Sequence, residues 1–547
     1  MNRVLPVLCG SLLSACSLIN PTVTFQEAED ASVDAATMDA TADTPVAGGF
    51  VLVRSAPSPN MTYVEPDVVI ELEFNMPVDV ATLEEALSLT AAAPQSPVAF
   101  DVELEEGGRL VRLLPREALS LLSDHRLVIA ETLANREGGS LAAAVELNFQ
   151  SRDGTWSAIE LLESHEAGDA RPLDLAGNLD GFGIAAWIEL DGNGADVWAR
   201  RFDPGSGWLP AESVEDRSDP FDDPRVGIDP EGNGFVFWRD QNVFGGEELW
   251  VNRFRGSWSG ELRLVDQGSL GFEWDTALDG AGNAFVIYPR TPAGTLSLYT
   301  RRFTPALGWS FESRREPRNR QVQAARITAD AQGNAAAFWI DVDDRSTWTS
   351  RFTPVDGWSA PEELQASAAP REAIATGSGA IQLFNSSLDR LWAFQFRSES
   401  GWSNGEPIDD GNAERFGFSR PAAASNDSGS TVVVWTQSDG ALLNIWANTF
   451  MPGSGWGTPV QLDSDNREAD SPDIAIDPAG NALAIWDHGE EIWYARFTPA
   501  EGWQPATALG PGANPKIAAD RFGRAIAGWT RLNQGTGFRD AVAARFE

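Results

Sequence analysis

The residue types that most often do chemistry are scarce in this sequence of 547 residues. Its three histidines, His125, His165 and His488, are far apart, which argues against a multi-histidine metal site. No nucleophile motif accompanies any of them, so a Ser-His-Asp arrangement has no support. The sequence therefore predicts no catalytic residues, and we expect a protein that is not an enzyme.

Carboxylates, in contrast, are abundant in the segments that connect the predicted strands. Asp191, Asn193 and Asp196 form an oxygen-rich loop and are the candidate Ca²⁺ ligands, because Ca²⁺ takes six to eight oxygens. No other cofactor is predicted. The long, variable connections are the candidate binding loops, since function often lies on such loops; their candidate residues are Asp219, Asp222, Asp223, Arg315, Arg318, Arg320, Asp341, Asp343 and Asp465. Other acidic loop residues, Glu163, Glu215 and Asp463 among them, are expected to be solvated.

Composition excludes several classes of protein. The 80 acidic and 40 basic residues give a formal net charge of −40, which argues against binding to nucleic-acid phosphates. A hydrophobic content of 42% is enough for a folded core. Both cysteines, Cys9 and Cys16, lie in the first sixteen residues, so neither a disulfide framework nor a cysteine metal site is expected in the folded body.

The amino terminus has the pattern of a secretory signal. Asn2-Arg3 precedes an apolar run, Val4 to Leu13, that is shorter than the ~20 residues a membrane-spanning helix needs. Leu13-Ser14-Ala15-Cys16 resembles the lipobox of bacterial lipoproteins. The resemblance implies cleavage before Cys16, lipidation of that cysteine with palmitate-type chains, and an anchor in the envelope of a Gram-negative-type bacterium. Ser17 in place of Asp favours the outer membrane, by analogy with that family.

Two segments separate the signal from the repeats. Residues 16–49 carry acidic side chains and no Lys or Arg, which predicts a disordered acidic tether. Residues 50–153 have short alternating strands, typical of a β-sandwich. Phe74-Asn75-Met76-Pro77-Val78-Asp79 and Leu114-Pro115 with Leu127-Val128-Ile129 resemble motifs of the SbsA-type Ig-like domain of bacterial surface-layer proteins. That resemblance implies a spacer or adhesion module.

Residues 154–547 repeat one unit eight times. A tryptophan that mostly follows glycine recurs every 44 to 54 residues, at Trp156, Trp208, Trp258, Trp309, Trp358, Trp402, Trp456 and Trp503. An aromatic ends the second strand of each unit, at Trp187, Trp238, Tyr288, Trp339, Trp435, Trp486 and Trp529, with Asn385 as the exception. A period near 50 residues with four short strands is typical of a β-propeller blade. We predict an eight-bladed propeller whose last blade takes an outer strand from residues 155–163.

Within each unit, most conspicuous residues have a structural explanation. The first hairpin carries Asp, Asn or Thr three residues before Gly, a pattern typical of a side-chain-capped turn. The tryptophan pairs are expected to fill the space between blades, although stacking of some rings on sugars is the alternative.

The sequence therefore predicts an all-β protein: a signal peptide (1–15), a lipidated Cys16 with its tether (16–49), an Ig-like sandwich (50–153) and an eight-bladed propeller (154–547). We expect a lipid-anchored, non-catalytic envelope protein whose propeller face binds a protein or glycan partner, with the sandwich as spacer. The alternative is a carbohydrate-binding lectin, or a glycan-active enzyme of the sialidase or glycosidase kind. Such an enzyme would break the repeat with unique polar residues at strand ends near the axis.

Overall fold

The structure is a computed structural model that describes most of residues 49–547. Its gaps are residues 93–94, 164–167, 172, 191–193, 216–223, 242–245, 266–269, 271–272, 292–294, 317–319, 365–367, 378, 388–389, 413–419, 439 and 464–466. The described residues from Phe50 onward belong to one structural unit, Phe50–Glu547. Almost all regular structure is β-strand, so the prediction of an all-β protein is confirmed.

The first part of this unit is a sandwich of two sheets. Its strands are β1 (Leu52–Ala56), β2 (Met61–Val64), β3 (Ile70–Phe74), β4 (Leu87–Ala92), β5 (Gln95–Pro97), β6 (Phe100–Glu105), β7 (Leu110–Pro115), β8 (Asp124–Ile129) and β9 (Val145–Ser151). They form one sheet in the order β1-β3-β7-β6 and another in the order β2-β9-β8-β4-β5. The described helices are short: α1 (Leu83–Ala86) and two 3₁₀ turns, Val80–Thr82 and Glu106–Gly108.

Alternation along these strands builds the core of the sandwich. In β3, Ile70, Leu72 and Phe74 are buried while the residues between them are partly exposed, because successive side chains of a strand point to opposite faces. They pack against residues of the other sheet, such as Leu127 and Phe149, in one apolar cluster.

Within the described residues, the remaining strands form eight further sheets, which we call ring sheets 1 to 8. Ring sheet 1 contains β11 (Asp169–Ala170), β12 (Asp174–Gly177), β13 (Gly183–Leu190), β14 (Ala195–Asp203), β15 (Gly207–Trp208) and β16 (Glu212–Ser213). Ring sheet 2 contains β17 (Arg225–Ile228), β18 (Gly234–Gln241), β19 (Glu247–Phe254) and β20 (Leu262–Val265). Ring sheet 3 contains β21 (Asp275–Leu278), β22 (Ala284–Arg290), β23 (Ser297–Thr304), β24 (Gly308–Trp309) and β25 (Ser313–Arg314), and ring sheet 4 contains β26 (Val322–Ala329), β27 (Ala335–Asp341), β28 (Thr347–Thr353), β29 (Gly357–Trp358) and β30 (Glu362–Leu364).

Ring sheets 5 to 8 follow the same plan. Ring sheet 5 contains β31 (Ala369–Ala375), β32 (Ile381–Ser386), β33 (Leu391–Arg397), β34 (Gly401–Trp402) and β35 (Glu406–Pro407), and ring sheet 6 contains β36 (Ala422–Ser425), β37 (Thr431–Ser438), β38 (Leu443–Met451), β39 (Gly455–Trp456) and β40 (Val460–Gln461). Ring sheet 7 contains β41 (Ala469–Ile476), β42 (Ala482–His488), β43 (Glu491–Thr498), β44 (Gly502–Trp503) and β45 (Thr507–Pro511). Ring sheet 8 contains β46 (Ala513–Ala519), β47 (Ala525–Leu532) and β48 (Arg539–Phe546) with β10 (Glu160–Leu161).

Register is nearly the same in every ring sheet. The first strand (β12, β17, β21, β26, β31, β36, β41 and β46) pairs with the second, the second with the third, and short outer strands with the third, all antiparallel. The aromatic near the middle of the second strand is fully buried in seven sheets, for example Trp187 and Trp486. Both faces of each second strand are covered, which explains why these strands read as continuous apolar runs rather than as alternating ones.

The ring sheets form a closed circle. Eight apolar clusters lie between consecutive sheets, and one of them joins sheet 8 to sheet 1 through Ile526, Ala541 and Trp187. The first strands of sheets 1 and 8 also contact each other. In sheet 8 the chain supplies the outer strand from the beginning of the repeat region, since Glu160 pairs with Ala543. The fold is therefore propeller-like, as the repeat predicted.

Candidate functional site: the axial cavity

A polar cavity of about 540 Å³ lies on the axis of the circle, where the first strands of the ring sheets begin. Ring sheets on opposite sides contribute to it, sheet 1 facing sheet 5 and sheet 2 facing sheet 6. Its charged lining residues include Asp174, Arg225, Glu372, Arg420, Asp473 and Lys516. The other end of the axis differs, because small and apolar residues such as Ala375 and Ala475 line the space there.

Most of these charged residues occupy one position of the repeat. In each ring sheet this residue pairs with the residue just before the second-strand aromatic or its equivalent, and it lies four residues before the hairpin Asp, Asn or Thr. In order from sheet 1 to sheet 8 the position holds Asp174, Arg225, Asp275, Arg326, Glu372, Ala422, Asp473 and Lys516. Charge thus alternates around the axis. In sheet 6, Arg420, two residues earlier, supplies the missing cation.

We call the eight residues at this position, together with Arg420, the axial ring. The aspartates of the axial ring accept hydrogen bonds from backbone amides of the following sheet. Asp174 Oδ2 accepts a hydrogen bond of 2.9 Å from the Val226 amide, and Asp473 Oδ2 accepts one of 2.9 Å from the Ile517 amide. Asp275 Oδ2 accepts the equivalent bond from Ile327 at 3.1 Å. Each aspartate therefore joins two neighbouring first strands while presenting negative charge near the axis.

Two of the cations are engaged by other protein groups. The buried Arg326 donates from Nε to the Arg371 carbonyl at 2.7 Å and from Nη1 to the Ala325 carbonyl at 2.6 Å. Arg420 Nε donates to Glu372 Oε2 at 3.1 Å, and its Nη2 lies 3.9 Å from Asp275 Oδ1. Arg420 therefore connects sheet 6 to sheet 5 and also reaches sheet 3.

The environment shifts several pKa values in this ring. Burial raises the pKa of Asp473, and the nearby Lys516 charge only partly opposes that shift. Burial lowers the pKa of Arg326, and the Arg420 charge lowers it further. For Arg420, burial lowers the pKa but the carboxylates of Glu372 and Asp275 raise it more, so its net shift is upward. The axis thus holds a carboxyl group with a raised proton affinity beside a primary amine.

None of the described loop residues that were predicted to form a binding face lines the axial cavity, and the other predicted residues lie outside the described part of the chain. Arg320 pairs with Asp341 at 3.2 Å and with Asp344 at 2.6 Å, and the Asp343 amide donates to Asp341. The Arg315 guanidinium carbon lies 5.1 Å from the centre of the Trp358 ring, and burial lowers its pKa. The remaining predicted residues lie outside the described residues: Asp219, Asp222, Asp223, Arg318 and Asp465.

Most residues of the candidate metal and lipid sites also lie outside the described part of the chain. Asp196 lies in β14, where it pairs with Glu189 of β13, but Asp191 and Asn193 are outside the described residues. Among the described residues, no group of three or more His, Cys, Asp or Glu side chains could hold a metal ion. Cys16 is also outside the described residues. Within the described part of the chain, no helix has the length and apolar content to cross a membrane.

The histidines take structural positions where they are described. His125 stacks on Phe149 with ring centres 5.3 Å apart, and burial lowers its pKa to about 4. His488 packs edge-on against Trp493 at 5.2 Å. These two histidines lie in different parts of the fold, one in the sandwich and one in ring sheet 7.

Sequence reasoning missed the axial residues, although a signal for them was present. Counting back four residues from each hairpin Asp, Asn or Thr gives the alternating series of acids and bases directly. The series indicates a site only when it is known which position of the repeat faces the axis. The periodicity of the sequence does not show which position that is.

No family model matches the chain, and no curated protein matches its sequence. Three solved structures are similar to this chain. A puromycin hydrolase variant is 13% identical and has a TM-score of 0.41; the match covers 67% of this chain and 59% of that chain. Virginiamycin B lyase from Staphylococcus aureus and a PL25 ulvan lyase are each 12% identical with a TM-score of 0.36, and the matches cover 62% and 65% of this chain, respectively, and 96% of each of those chains.

These similarities correct one expectation. The three proteins are lyases and a hydrolase, which contradicts the prediction, made from missing motifs, that the chain is not an enzyme. Missing motifs do not exclude catalysis in such a fold, because a circle of sheets can bring single residues from distant strands to one cavity. A set of residues assembled in this way has no local sequence motif. At these identities and TM-scores, the similarities assign no reaction to this chain.

Proposed function

We propose that this protein is an eight-bladed β-propeller with an Ig-like sandwich, and that its axial cavity binds a small polar ligand. One observation carries the proposal: charged side chains from ring sheets on opposite sides of the axis line a single cavity of about 540 Å³. That volume lies in the range of known small-molecule sites.

The pattern of variation supports this use of the axis. The hairpin Asp and Gly and the second-strand aromatic recur in most ring sheets because packing requires them. The axial position instead changes from sheet to sheet, and Ala422, Arg420 and Lys516 each occur once in their roles. Unique polar residues at strand ends near the axis are the departure from repeat symmetry expected of the enzyme alternative, and we infer that ligand binding at the axis requires the same departure.

A cavity-filling substitution tests the proposal. Ala422 lines the cavity, and Ala422→Phe adds a ring to it. We expect full-length protein to bind at least one member of a panel of amino acids, neutral sugars, sugar acids and sugar phosphates, measured by calorimetry, and Ala422→Phe to lose that binding. Ala360→Phe, at an exposed position of ring sheet 4, is the matched control. Binding that survives Ala422→Phe would place the ligand elsewhere.

The location in the cell is a separate part of the proposal. We propose that lipid on Cys16 holds the protein at the outer membrane, on the support of the Leu13-Ser14-Ala15-Cys16 pattern. Two or more acyl chains give stable anchoring, at about 0.8 kcal/mol per buried methylene. Cys16→Ser should move the protein from the membrane fraction to the soluble fraction. Continued membrane retention of Cys16→Ser would contradict the anchor.

A second candidate is catalysis on the bound ligand, including a glycan. Asp473 favours it, because burial raises the pKa of a carboxyl group that lines the cavity near an amine, as in many acid–base sites. Asp473→Asn keeps an oxygen that can accept the Ile517 amide but cannot transfer a proton. If the protein turns over a member of the panel, Asp473→Asn should lower kcat at least 100-fold and leave KM within about threefold.

A further inference from the structure

Lys516 is the only lysine in the sequence. Apart from the three histidines, every other basic side chain is arginine, including Arg225 and Arg326, which hold the same repeat position in ring sheets 2 and 4. The single lysine therefore stands in the axial cavity rather than on the surface. An ammonium is more compact than a guanidinium, so lysine places a positive charge at the wall and leaves more of the cavity free.

The four cations of the axial ring fall into two pairs. Arg326 and Arg420 are held by carbonyl and carboxylate oxygens of the protein. Lys516 and Arg225 are not: within the described part of the chain, neither side chain forms a hydrogen bond, or an ion pair within 4.0 Å. The Arg225 guanidinium carbon lies 5.9 Å from the centre of the Trp274 ring. Lys516 interacts with Asp473 through charge at longer range.

Lys516 and Arg225 belong to ring sheets 8 and 2, on either side of ring sheet 1. Both line the same cavity. A cation in a confined site is stabilised when an anion completes its hydrogen bonds, and ammonium and guanidinium groups donate well to carboxylate, sulfate and phosphate oxygens. Asp174 lies between them in the ring and Asp473 lies beside Lys516, and these carboxylates disfavour a ligand with several anionic groups.

Resting on the axial cavity as the binding site, we propose that its ligand carries a single anionic group, a carboxylate, sulfate or phosphate, which Lys516 and Arg225 bind from two sides. The rest of the ligand occupies the space toward ring sheets 5 and 6. The arginines that are already engaged, Arg326 and Arg420, hold the first strands in place and do not bind the ligand directly.

Matched pairs of ligands test this inference in the full-length protein. The pairs are galacturonic acid with galactose, glucose 6-phosphate with glucose, and N-acetylgalactosamine 6-sulfate with N-acetylgalactosamine. We expect at least one anionic member to bind ten or more times tighter than its neutral partner. Lys516→Met and Arg225→Met should each weaken that binding at least tenfold, whereas Lys516→Arg should recover part of it. Arg54→Met, at an exposed position of the sandwich, is the control.

Lysine-specific labelling gives a second measurement. Because the chain has one lysine, acetylation of Lys516 by an amine-reactive ester is read directly from peptide masses. The anionic ligand should slow this acetylation at least fivefold, and its neutral partner should not.

The outcomes separate this inference from the proposed function. Neutral ligands that bind as tightly as anionic ones, lose binding in Ala422→Phe and keep it in Lys516→Met would overturn the anionic group and leave the cavity. A ligand whose binding is unaffected by Ala422→Phe would overturn the cavity itself. If no member of the three pairs binds and none protects Lys516, the anionic-group inference is wrong.

Discussion

Individual acidic residues behave differently from the solvated charges that the loop composition predicts. Glu163, two residues after β10, is only 6% exposed, and its Oε1 accepts a hydrogen bond of 2.8 Å from the Ala541 amide. Glu215 repeats this arrangement toward the Val197 amide at 3.1 Å, and Asp463 toward the Ile445 amide at 2.9 Å. In each case an acid after an outer strand completes the hydrogen bonding of a third strand, which a count of charges cannot reveal.

Burial of Glu163 gives the stability a dependence on pH. Burial raises its pKa to about 8, with nearby Asp540 and Glu189 adding to the shift and the Ala541 amide and Arg531 opposing it. Since the folded-state pKa lies above the ordinary value of 4.5, this carboxyl favours the folded state most below that value, and the contribution is lost as the pH rises toward 8. Glu163→Gln keeps an acceptor oxygen and removes the ionisation. We expect it to exceed the native protein in stability by about 2 kcal/mol at pH 9, measured by urea unfolding.

The control for this prediction is an exposed glutamate. Glu131→Gln, on the surface of the sandwich, should leave the pH dependence unchanged. Equal unfolding curves for Glu163→Gln and the native protein from pH 5 to 9 would show that the pKa of Glu163 is not raised in the folded state.

At the level of elements, the first hairpin of each ring sheet is the feature that sequence predicted best. In ring sheet 2, Asp229 Oδ1 accepts from the Asn233 amide and Oδ2 from the Asn233 side chain, both at 2.8 Å. Gly232 has a φ of 78°, the left-handed conformation that favours glycine. The spacing predicted these turns because all their partners lie within four residues of each other in the chain.

Removing the cap should destabilise the element measurably. Asp229→Ala loses both side-chain bonds in a site where the aspartate is 2% exposed, and it leaves the Asn233 amide without that acceptor. We expect a loss of about 2 kcal/mol in the free energy of unfolding. Glu231→Ala changes an exposed residue of the same hairpin and should change the free energy by less than about 0.5 kcal/mol. Equal effects of the two substitutions in chemical denaturation would contradict the capping role.

Contacts between residues that are far apart in the chain are the feature that the sequence could not predict. The repeat predicts that the tryptophans pack between blades, and the second-strand rings are indeed buried between sheets. The axial ring was missed because its members lie about 50 residues apart in the chain and are related only through the circle. Arg420 shows this most clearly, since its position two residues before Ala422 matches no repeat marker, and only the fold brings it to Glu372 and Asp275.

For the whole molecule, the connection between sandwich and circle is closer than a spacer requires. Leu121, on the segment between β7 and β8, packs in the apolar cluster of ring sheets 7 and 8 with Trp529 and Phe546. Its amide donates to the Phe522 carbonyl at 2.7 Å. Arg496, 9% exposed at its side chain, pairs with Asp153 at 3.1 Å. These contacts lie beside β10 and Trp156, where the circle closes.

This arrangement predicts that the sandwich and the circle unfold together. Leu119 and Leu121 provide a matched pair, since both are 2% exposed but Leu119 packs inside the sandwich. Each substitution to alanine should cost about 3 kcal/mol, because each removes a buried leucine from a packed core. Leu119→Ala weakens the sandwich and leaves it docked, so calorimetry should show a single transition at a lower temperature. Leu121→Ala weakens the joint, so the sandwich should unfold in a separate transition, and proteolysis near Asp153 should accelerate. Thermograms of the same shape for both variants would mean that the Leu121 contacts do not couple the two parts.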